Sequence, residues 1–232
     1  RESDAVVAIS AAEAHTVVER LGGRPDRITV VPPGVDATLF HPWTGSRRGS
    51  GYVVAAARLQ PLKGLDLAID AVAGVPDAIR PELIVAGEAS ADFDGYVDEL
   101  RDRAQLHGIA DQVHFIGPQT REDLAALLRE SRLVLVPSHS ETYGLVALEA
   151  SASGVPVIAS ASGGLTEAVL DERTGLVVSS REPREWSSAI ARIVSDERLS
   201  AELGRAGRAH AEALSWAHSA ATLADCYRRS LA

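Results

Sequence analysis

Several residue types are scarce in this chain of 232 residues, and each scarcity excludes some classes of protein. Cysteine occurs once, at Cys226, so no disulfide can form within the chain, and a reducing compartment fits that count. No apolar run approaches the roughly 20 residues of a membrane-spanning helix. No signal peptide opens the sequence. These absences exclude a disulfide scaffold and predict a globular protein without a membrane span.

Methionine is absent and lysine occurs once, at Lys63, against 22 arginines. The sequence also begins at Arg1, within a segment that already looks structured. We therefore expect that the native start lies further upstream. The solitary lysine becomes a residue to inspect.

The charge balance argues against a nucleic-acid partner. The net charge is −9, whereas nucleic-acid binders usually present a basic face. With 46% hydrophobic residues, the chain is long enough for one large α/β domain or for one domain and part of another. A local basic pocket for phosphate remains compatible with this balance.

Short runs of Val, Ile and Leu alternate with amphipathic stretches along the chain. Such alternation predicts a Rossmann-like, doubly wound parallel sheet with helices on both faces. The predicted strands are Ala5–Ile9, Ile28–Val31, Tyr52–Ala56, Glu82–Ala86, Val113–Ile116, Leu133–Val136, Pro156–Ala159 and Gly175–Val178. The predicted helices are a segment capped by Ser10 and stopped by Gly22, then Asp66–Val75, Asp92–His107, Arg121–Glu130, Tyr143–Ser153 and Leu165–Leu170, followed by a helical remainder from Pro183 with a break near Ser215-Trp216.

A segment rich in Pro, Gly, Ser and Arg interrupts this rhythm between Pro32 and Gly51. It opens with VPPGVD, and two prolines and a glycine fit neither a helix nor a central strand. The composition predicts a linker.

Two cations follow the first strand after this linker. Arg58 and Lys63 lie five residues apart in the loop ARLQPLKG, at the edge of the sheet where such folds bind ligands. An arginine can fork onto phosphate oxygens while a lysine acts as a compact point charge. Taken alone, the loop fits two solvated surface cations better than a phosphate site, and it is not a Walker loop.

A second loop, PSHSETYGLVALE, leads from a predicted strand into a predicted helix. The free N–H groups at that helix start favour an anion, and Gly144 lets a ligand approach the backbone. Glu149 lies four residues after Leu145, so its carboxylate shares a face with those amides and is placed to accept from vicinal hydroxyls. Glu141 precedes the helix, where a sugar would lie. Two glutamates at this spacing are a weak pattern, and ordinary helix-terminal acids explain it as well.

The other candidate residues give weaker evidence for a functional site. The loop Ile116–Thr120 offers main-chain groups to a flat base, or is an ordinary turn. Asp92-Phe93-Asp94 matches a short metal-binding pattern, but acids are common where a helix opens, so no metal is expected. His139 is interpreted as a bystander and Cys226 as packed core. Gly163-Gly164 either lines a sugar pocket or makes a tight turn, and the residues do not decide between the two.

Taken together, these segments resemble the retaining glycosyltransferases of family four, which have the two-domain GT-B fold. The resemblance runs through VVPPGVD, RLQPLKG, HFIGP, PSHSETYGLVALEASASGVPVIAS, SGGLTEAV and TGLVV, in the family's order. It covers most of residues 28–180. The wording of RLQPLK and SETYGLVALEA is nearest to the mycothiol-pathway N-acetylglucosaminyltransferases and the sucrose-phosphate-synthase-like members. One departure is Ala57, where family members commonly have glycine, and its methyl group could crowd the phosphate loop.

The resemblance implies roles for individual residues. Arg58 and Lys63 match the pair that binds the donor diphosphate, and Glu141 matches the acid that contacts the transferred sugar; these are the implied catalytic residues. Glu149 matches the acid that holds the ribose hydroxyls, and Gln119 lies where the family's base-contacting backbone lies. Main-chain groups contacting sugar and phosphate are expected at Thr142, Tyr143, Gly144, Leu145 and Val146. The resemblance implies neither a cofactor nor a metal.

The resemblance also implies a division of the chain and a set of partners. Residues 1–42 would end the N-terminal GT-B domain and include the linker, 43–214 would form the nucleotide-sugar-binding domain, and 215–232 would be a helix that packs back towards the N-terminal domain. The donor would be a nucleotide sugar, with a UDP-sugar favoured and GDP- or ADP-sugars open. The acceptor, a sugar, polyol or lipid, would bind mostly in the missing N-terminal domain, which would also supply a histidine near the donor sugar.

Two expectations about the whole protein follow from this resemblance. The enzyme would transfer a hexose with retention, in the cytoplasm or attached to a membrane through the missing domain. The present chain alone is expected to bind donor weakly and not to transfer sugar. A sugar-nucleotide epimerase of the same fold and a non-catalytic nucleotide-binding module are the alternatives.

Overall fold

The computed structural model describes residues 3–44, 51–93 and 95–231. Strands and helices alternate along these ranges. In chain order they are β1 (Val6–Ala8), α1 (Ala11–Leu21), β2 (Ile28–Val30), β3 (Val53–Ala56), α2 (Leu65–Ala73), β4 (Leu83–Ala86), α3 (Tyr96–Leu106), β5 (Val113–Phe115), α4 (Arg121–Glu130), β6 (Leu133–Val136), α5 (Leu145–Ala152), β7 (Val157–Ser160), α6 (Leu165–Ala168), β8 (Gly175–Val178), α7 (Pro183–Ser195), α8 (Glu197–Ala213) and α9 (Trp216–Leu231).

The main sheet has six parallel strands in the order β5-β4-β3-β6-β7-β8. The predicted doubly wound α/β class is therefore confirmed. Every residue of β6 and β7 is buried, as expected when helices cover both faces. The chain order reverses between β3 and β6, because the chain first adds β4 and β5 on one side of β3 and then returns to its other side. The carboxyl ends of these two strands form the crevice where such sheets bind ligands.

Two apolar layers enclose this sheet. One face packs against α2, α3 and α7, and its largest fully buried side chain is Trp186. The other face packs against α4, α5, α6 and the end of α8. Among the described helices, none is both long and apolar enough to cross a bilayer.

Helix ends differ from the sequence prediction where a local residue stops the helix. The helix predicted from Asp92 begins at Tyr96, after a 3-10 turn at Ala91–Phe93. The helix predicted from Tyr143 begins at Leu145, because Gly144 has a φ of 103° that a helix does not admit. The break near Ser215 is confirmed, but a second break at Asp196 was missed.

Asp196 ends one helix and starts the next. Its backbone is extended, with φ −122° and ψ 94°, and its side chain accepts a hydrogen bond from the N–H of Leu199. A short acid competes well for this N-cap position, since it satisfies an orphan amide of the new helix. The predicted continuous helix therefore divides into α7 and α8.

The N-terminal segment has its own two-stranded sheet, in which β1 and β2 are parallel. The predicted Ser10 cap of α1 is present, because its hydroxyl accepts from the N–H of Glu13. The Glu13 carboxylate accepts from the N–H of Ile9, one residue before the N-cap residue that a capping box would use. The predicted linker is less free than its composition suggested, because Val35 and Phe40 are buried against the main core. Positions 45–50 of that linker lie outside the described residues.

Candidate functional site

The first loop of the site runs from the end of β3 to the start of α2. Arg58 follows β3 closely and is exposed; within the described residues it makes no salt bridge. Pro61–Lys63 then form a 3-10 turn, and Gly64 enters α2 with a φ of 66°. The N–H of Leu59 donates to the carbonyl of Glu88 at 2.8 Å, which holds the loop against the neighbouring strand exit. Both predicted cations therefore lie at the crevice.

The structure brings Lys63 against Glu141, 78 residues away in sequence. The Lys63 Nζ to Glu141 Oε2 distance is 2.7 Å, and the two side chains are 16% and 19% exposed. The Ser138 hydroxyl also lies 3.4 Å from Glu141 Oε2. A pair this well shielded from water interacts more strongly than a surface pair. Two residues predicted separately, one for phosphate and one for sugar, thus form a single unit in this structure.

The loop that carries Glu141 is tied down by hydrogen bonds from two further segments. The Ser160 hydroxyl donates to the carbonyl of Ser138, and the Ser162 hydroxyl donates to the carbonyl of His139 at 2.9 Å. The N–H of His139 donates to the carbonyl of Leu62 at 2.8 Å. The sequence prediction missed these serines, although the adjacent exit of β7 is where such supports would be expected.

The amino end of α5 points into the same crevice. Gly144 is its N-cap residue, and among the described residues no side chain caps this end. Leu145 is 47% exposed at the first turn, and Val146 follows half-buried. Uncapped amides at a helix start attract an anion, through their hydrogen atoms and the helix dipole. The predicted anion-binding amides are therefore at the crevice.

Thr142 and Tyr143 differ in what they present. Thr142 is exposed beside the helix start. The side chain of Tyr143 is 3% exposed and belongs to the core, and burial raises its pKa to about 12. Tyr143 therefore offers the site only its main chain, as the sequence prediction had it.

Glu149 lies on α5, one turn beyond Leu145. Burial raises the pKa of its carboxyl to about 7, and the positive charge of Arg121 opposes that rise. Within the described residues its carboxylate makes no hydrogen bond and no ion pair. A half-buried carboxylate without a partner is costly, unless hydroxyl donors arrive with a ligand.

The side chain of Gln119 stabilises the turn in which it lies. Its side-chain amide donates to the carbonyls of Ile116, Gly117 and Pro118 at 3.1–3.2 Å. The Gly117 carbonyl also accepts from the N–H of Gly87 at 2.9 Å. This turn adjoins the exit of β4. Because the Gln119 side chain is used within the turn, only the main chain of the turn could contact a ligand.

The remaining candidate residues have structural roles or lie outside the described residues. Gly163 and Gly164 form the tight turn: the N–H of Gly164 donates to the Glu141 carbonyl, and a Cβ on Gly163 would lie 1.9 Å from that oxygen. Cys226 is buried in α9. Asp94 lies outside the described residues, and Asp92 lies in the 3-10 turn rather than opening α3.

Comparison with known proteins places the chain in a family. Residues 39–210 match the family described as "Glycosyl transferases group 1". A curated relative, the D-inositol 3-phosphate glycosyltransferase of Mycobacteroides abscessus, is 40% identical over 239 residues. That alignment covers 100% of this chain and 53% of the relative. The chain spans about half the length of the curated relatives it matches.

Solved structures show the same fold. The sucrose-phosphate synthase from Thermosynechococcus elongatus superposes with a TM-score of 0.88 at 29% identity, covering 98% of this chain and 58% of that one. Anabaena Alr3699/HepE in complex with UDP-glucose superposes with a TM-score of 0.87 at 25% identity, covering 99% of this chain and 64% of that one. The chain is thus similar to the donor-side portion of longer two-domain GT-B proteins.

Proposed function

Because the chain belongs to the group 1 glycosyl transferases, we propose that it supplies the donor site of a retaining glycosyltransferase that takes a UDP-sugar. The observation that carries the proposal is the half-buried Lys63–Glu141 pair beside Arg58 at the crevice between β3 and β6. Support for the base comes from Anabaena Alr3699/HepE, whose structure holds UDP-glucose.

The chemistry of the proposed transfer lies in the departing diphosphate. As the bond between sugar and phosphate breaks, negative charge grows on the leaving oxygen. Lys63 and the uncapped amides of α5 are held in place before the reaction starts, so they stabilise that charge with little rearrangement, and the exposed Arg58 would add a second cation. An ammonium has three donors, so Lys63 can keep Glu141 and still reach a phosphate oxygen.

The two glutamates would hold the two sugars of the donor. Glu141 uses one oxygen for Lys63 and leaves Oε1 for a hydroxyl of the transferred hexose. Glu149 has no partner among the described residues, and its carboxylate would accept from the ribose hydroxyls. Gln119 fixes the turn whose main chain would face the base.

We propose that the chain divides at 42 and at 214, and contacts between the two crossings support the second boundary. The N–H of Val35 donates to the carbonyl of Leu214 at 2.9 Å. A Cβ on Gly34 would lie 2.1 Å from the backbone nitrogen of Trp216, so the two crossings pack backbone to backbone. The hydroxyl of Ser219, on α9, donates to the carbonyl of Pro32 at 2.6 Å. Helix α9 therefore packs against the end of the N-terminal part.

The acceptor class is proposed from the curated relatives, which are named for an inositol phosphate. A polyol phosphate is therefore the first acceptor to try, with the whole protein. The expected product keeps the anomeric configuration of the donor, which the anomeric proton coupling in an NMR spectrum reports.

A binding experiment on the present chain tests the donor site directly. We expect UDP-glucose and UDP-N-acetylglucosamine to raise its melting temperature more than GDP- or ADP-glucose does, because ligand binding stabilises the native state. Calorimetry then gives the dissociation constants. Absent binding of all nucleotide sugars would reject the donor site, equal binding of all of them would reject only the preference for UDP, and formation of an epimer by the whole protein would reject the transferase.

A further inference from the structure

Arg181 lies at the exit of β8, in the short segment before α7, and no role has been given to it so far. It is half-buried, and burial lowers the pKa of its guanidinium, while Asp66 and Tyr96 act in the opposite direction. Within the described residues no carboxylate lies within salt-bridge distance of it. Its hydrogen bonds within the described residues go to neutral groups, and the charge of Asp66 offsets only part of the cost of its burial, which points to a function.

The guanidinium binds the turn that carries Glu141. Its Nη1 donates to the carbonyl of Pro137, and its Nη2 lies 3.0 Å from Nε2 of His139. Since a guanidinium can only donate, the Nε2 of His139 accepts and the ring proton lies on Nδ1. Both bonds fall within four residues of Glu141.

The same guanidinium lies against the loop that carries Lys63. A Cβ on Gly64 would lie 2.8 Å from Arg181 Nη2 and 2.1 Å from the Pro137 carbonyl oxygen. The N–H of His139 also donates to the carbonyl of Leu62. Arg181 thus occupies the junction of both loops, and a glycine at position 64 lets the Leu62–Gly64 segment approach the Pro137 carbonyl that Arg181 binds.

We propose that Arg181 is a positioning residue for donor binding: it fixes the Pro137–His139 turn against the Leu62–Gly64 segment and so sets the geometry of the Lys63–Glu141 pair. The proposal rests on the proposed function for its consequence, but the clamp itself is a property of this chain.

The test compares Arg181→Met and Arg181→Lys with a matched control, Arg132→Met. Arg132 is also half-buried and also donates to a carbonyl, that of Val194, but it adjoins the opposite end of β6. Calorimetry with UDP-glucose should show a loss of about tenfold for Arg181→Met. The affinity of Arg181→Lys should lie between those of Arg181→Met and the unaltered chain. The affinity of the Arg132→Met control should stay within twofold of the unaltered chain.

A double-mutant cycle separates positioning from general destabilisation. If Arg181 acts through the pair, Arg181→Met should cost less than twofold in a Lys63→Ala background. Fully additive losses, or equal losses for Arg181→Met and Arg132→Met, would overturn the proposal. Should Arg181→Met unfold, Arg181→Lys carries the same test, because the single nitrogen of a lysine cannot occupy both the Nη1 and the Nη2 positions.

A spectroscopic readout does not depend on the donor. Nitrogen-15 NMR of the neutral His139 ring should show Nδ1 protonated in the unaltered chain and in Arg132→Met, and a shift towards Nε2 protonation in Arg181→Met. An unchanged tautomer would overturn the clamp. Absent binding of UDP-glucose by the unaltered chain, with the tautomer shift present, would instead count against the proposed function alone.

Discussion

The two ends of the candidate site differ in how their carboxylates are held. At the diphosphate end, Glu141 is paired with Lys63 at 2.7 Å, and its loop is tied by Ser160 and Ser162. At the ribose end, Glu149 is half-buried with no hydrogen-bond partner among the described residues, and its pKa is raised to about 7 by burial. One carboxylate has a protein partner, and among the described residues the other has none.

This difference separates two ways in which a protein prepares a site. An assembled ion pair keeps its groups in place, so a ligand gains binding free energy without reordering them. An unpartnered carboxylate stores a desolvation cost that suitable donors of a ligand relieve. The Lys63 end should therefore dominate binding strength, and the Glu149 end should dominate recognition and pH dependence.

The largest effect is expected for Lys63→Ala. It removes the only lysine, and it leaves Glu141 half-buried and unpaired beside the diphosphate position. We expect a loss of about 3 kcal/mol, or over a hundredfold, in transfer by the whole protein, as for one lost oxyanion donor. In this chain, calorimetry with UDP-glucose should show most of that loss as weaker binding.

The matched control for Lys63→Ala is Arg198→Ala. Arg198 also pairs with a glutamate, Glu202, but its side chain is 86% exposed on α8. Surface pairs of this kind contribute little, so the control should behave as the unaltered chain. Near-normal turnover of Lys63→Ala would contradict the role given to the diphosphate end.

The next effect concerns stability and the proton of Glu149. Its native pKa of about 7 lies above the ordinary value of 4.5, so the native state holds the proton more tightly than the unfolded state. Stability should therefore be highest below pH 4.5 for this residue, and should fall as the pH rises to about 7. Above that, ionised Glu149 costs on the order of 3 kcal/mol.

Glu149→Gln should abolish this part of the pH dependence. Urea unfolding of both chains at pH 5 and pH 8 gives the difference, which should favour the variant more at pH 8. Other acids change stability with pH in the opposite direction, and Asp70 is one of them. Burial alone would raise the pKa of Asp70, but hydrogen bonds from Arg103 and His107 bring it below its ordinary value. Only the difference between variant and unaltered chain is therefore diagnostic, and an equal difference at both pH values would contradict the assignment.

The contrast between the two ends was only partly predictable from sequence. The strand–helix alternation predicted the parallel sheet, and the loops after β3 and β6 follow from the rule for strand ends. That Arg58, Lys63 and Glu141 lie at the same edge of the sheet was therefore foreseeable. The pairing of Lys63 with Glu141 was not, because it depends on the backbone path of two loops separated by 78 residues.

The supports of the site were harder still to foresee. Ser160, Ser162 and Arg181 follow strands β7 and β8 and act through main-chain carbonyls, for which their residue types give no signal. The raised pKa of Glu149 depends on burial by surrounding side chains, which helical periodicity alone does not give. Sequence located the strand exits, and tertiary packing determined what each side chain does there.

A smaller effect is expected in ribose recognition. Ribose hydroxyls would donate to ionised Glu149, so affinity for UDP-glucose should rise as the pH passes 7 and level off above it. The unaltered chain should prefer UDP-glucose over its 2′-deoxyribose analogue by about tenfold, as for hydrogen bonds to a charged group. Glu149→Gln should lose most of this preference and its pH dependence, as measured by calorimetry at pH 6 and pH 8.

The control for ribose recognition is Glu202→Gln, which alters an exposed, paired glutamate on α8. It should keep both the preference and the pH dependence. A preference for ribose that survives in Glu149→Gln would place the ribose elsewhere.

The smallest effect is expected for Glu141→Gln, and its direction is the informative part. The change removes a negative charge next to the diphosphate position and frees Lys63, so UDP should bind a few-fold more tightly. UDP-glucose should not share this gain, because the proposed hydroxyl partner of the hexose is weakened.

The ratio of the two dissociation constants from calorimetry measures the effect, and Glu172→Gln, which alters an exposed glutamate paired with Arg192, is the control. If Glu141→Gln weakened UDP and UDP-glucose equally, Glu141 would serve only to hold Lys63, and the diphosphate end would carry no part of the sugar recognition.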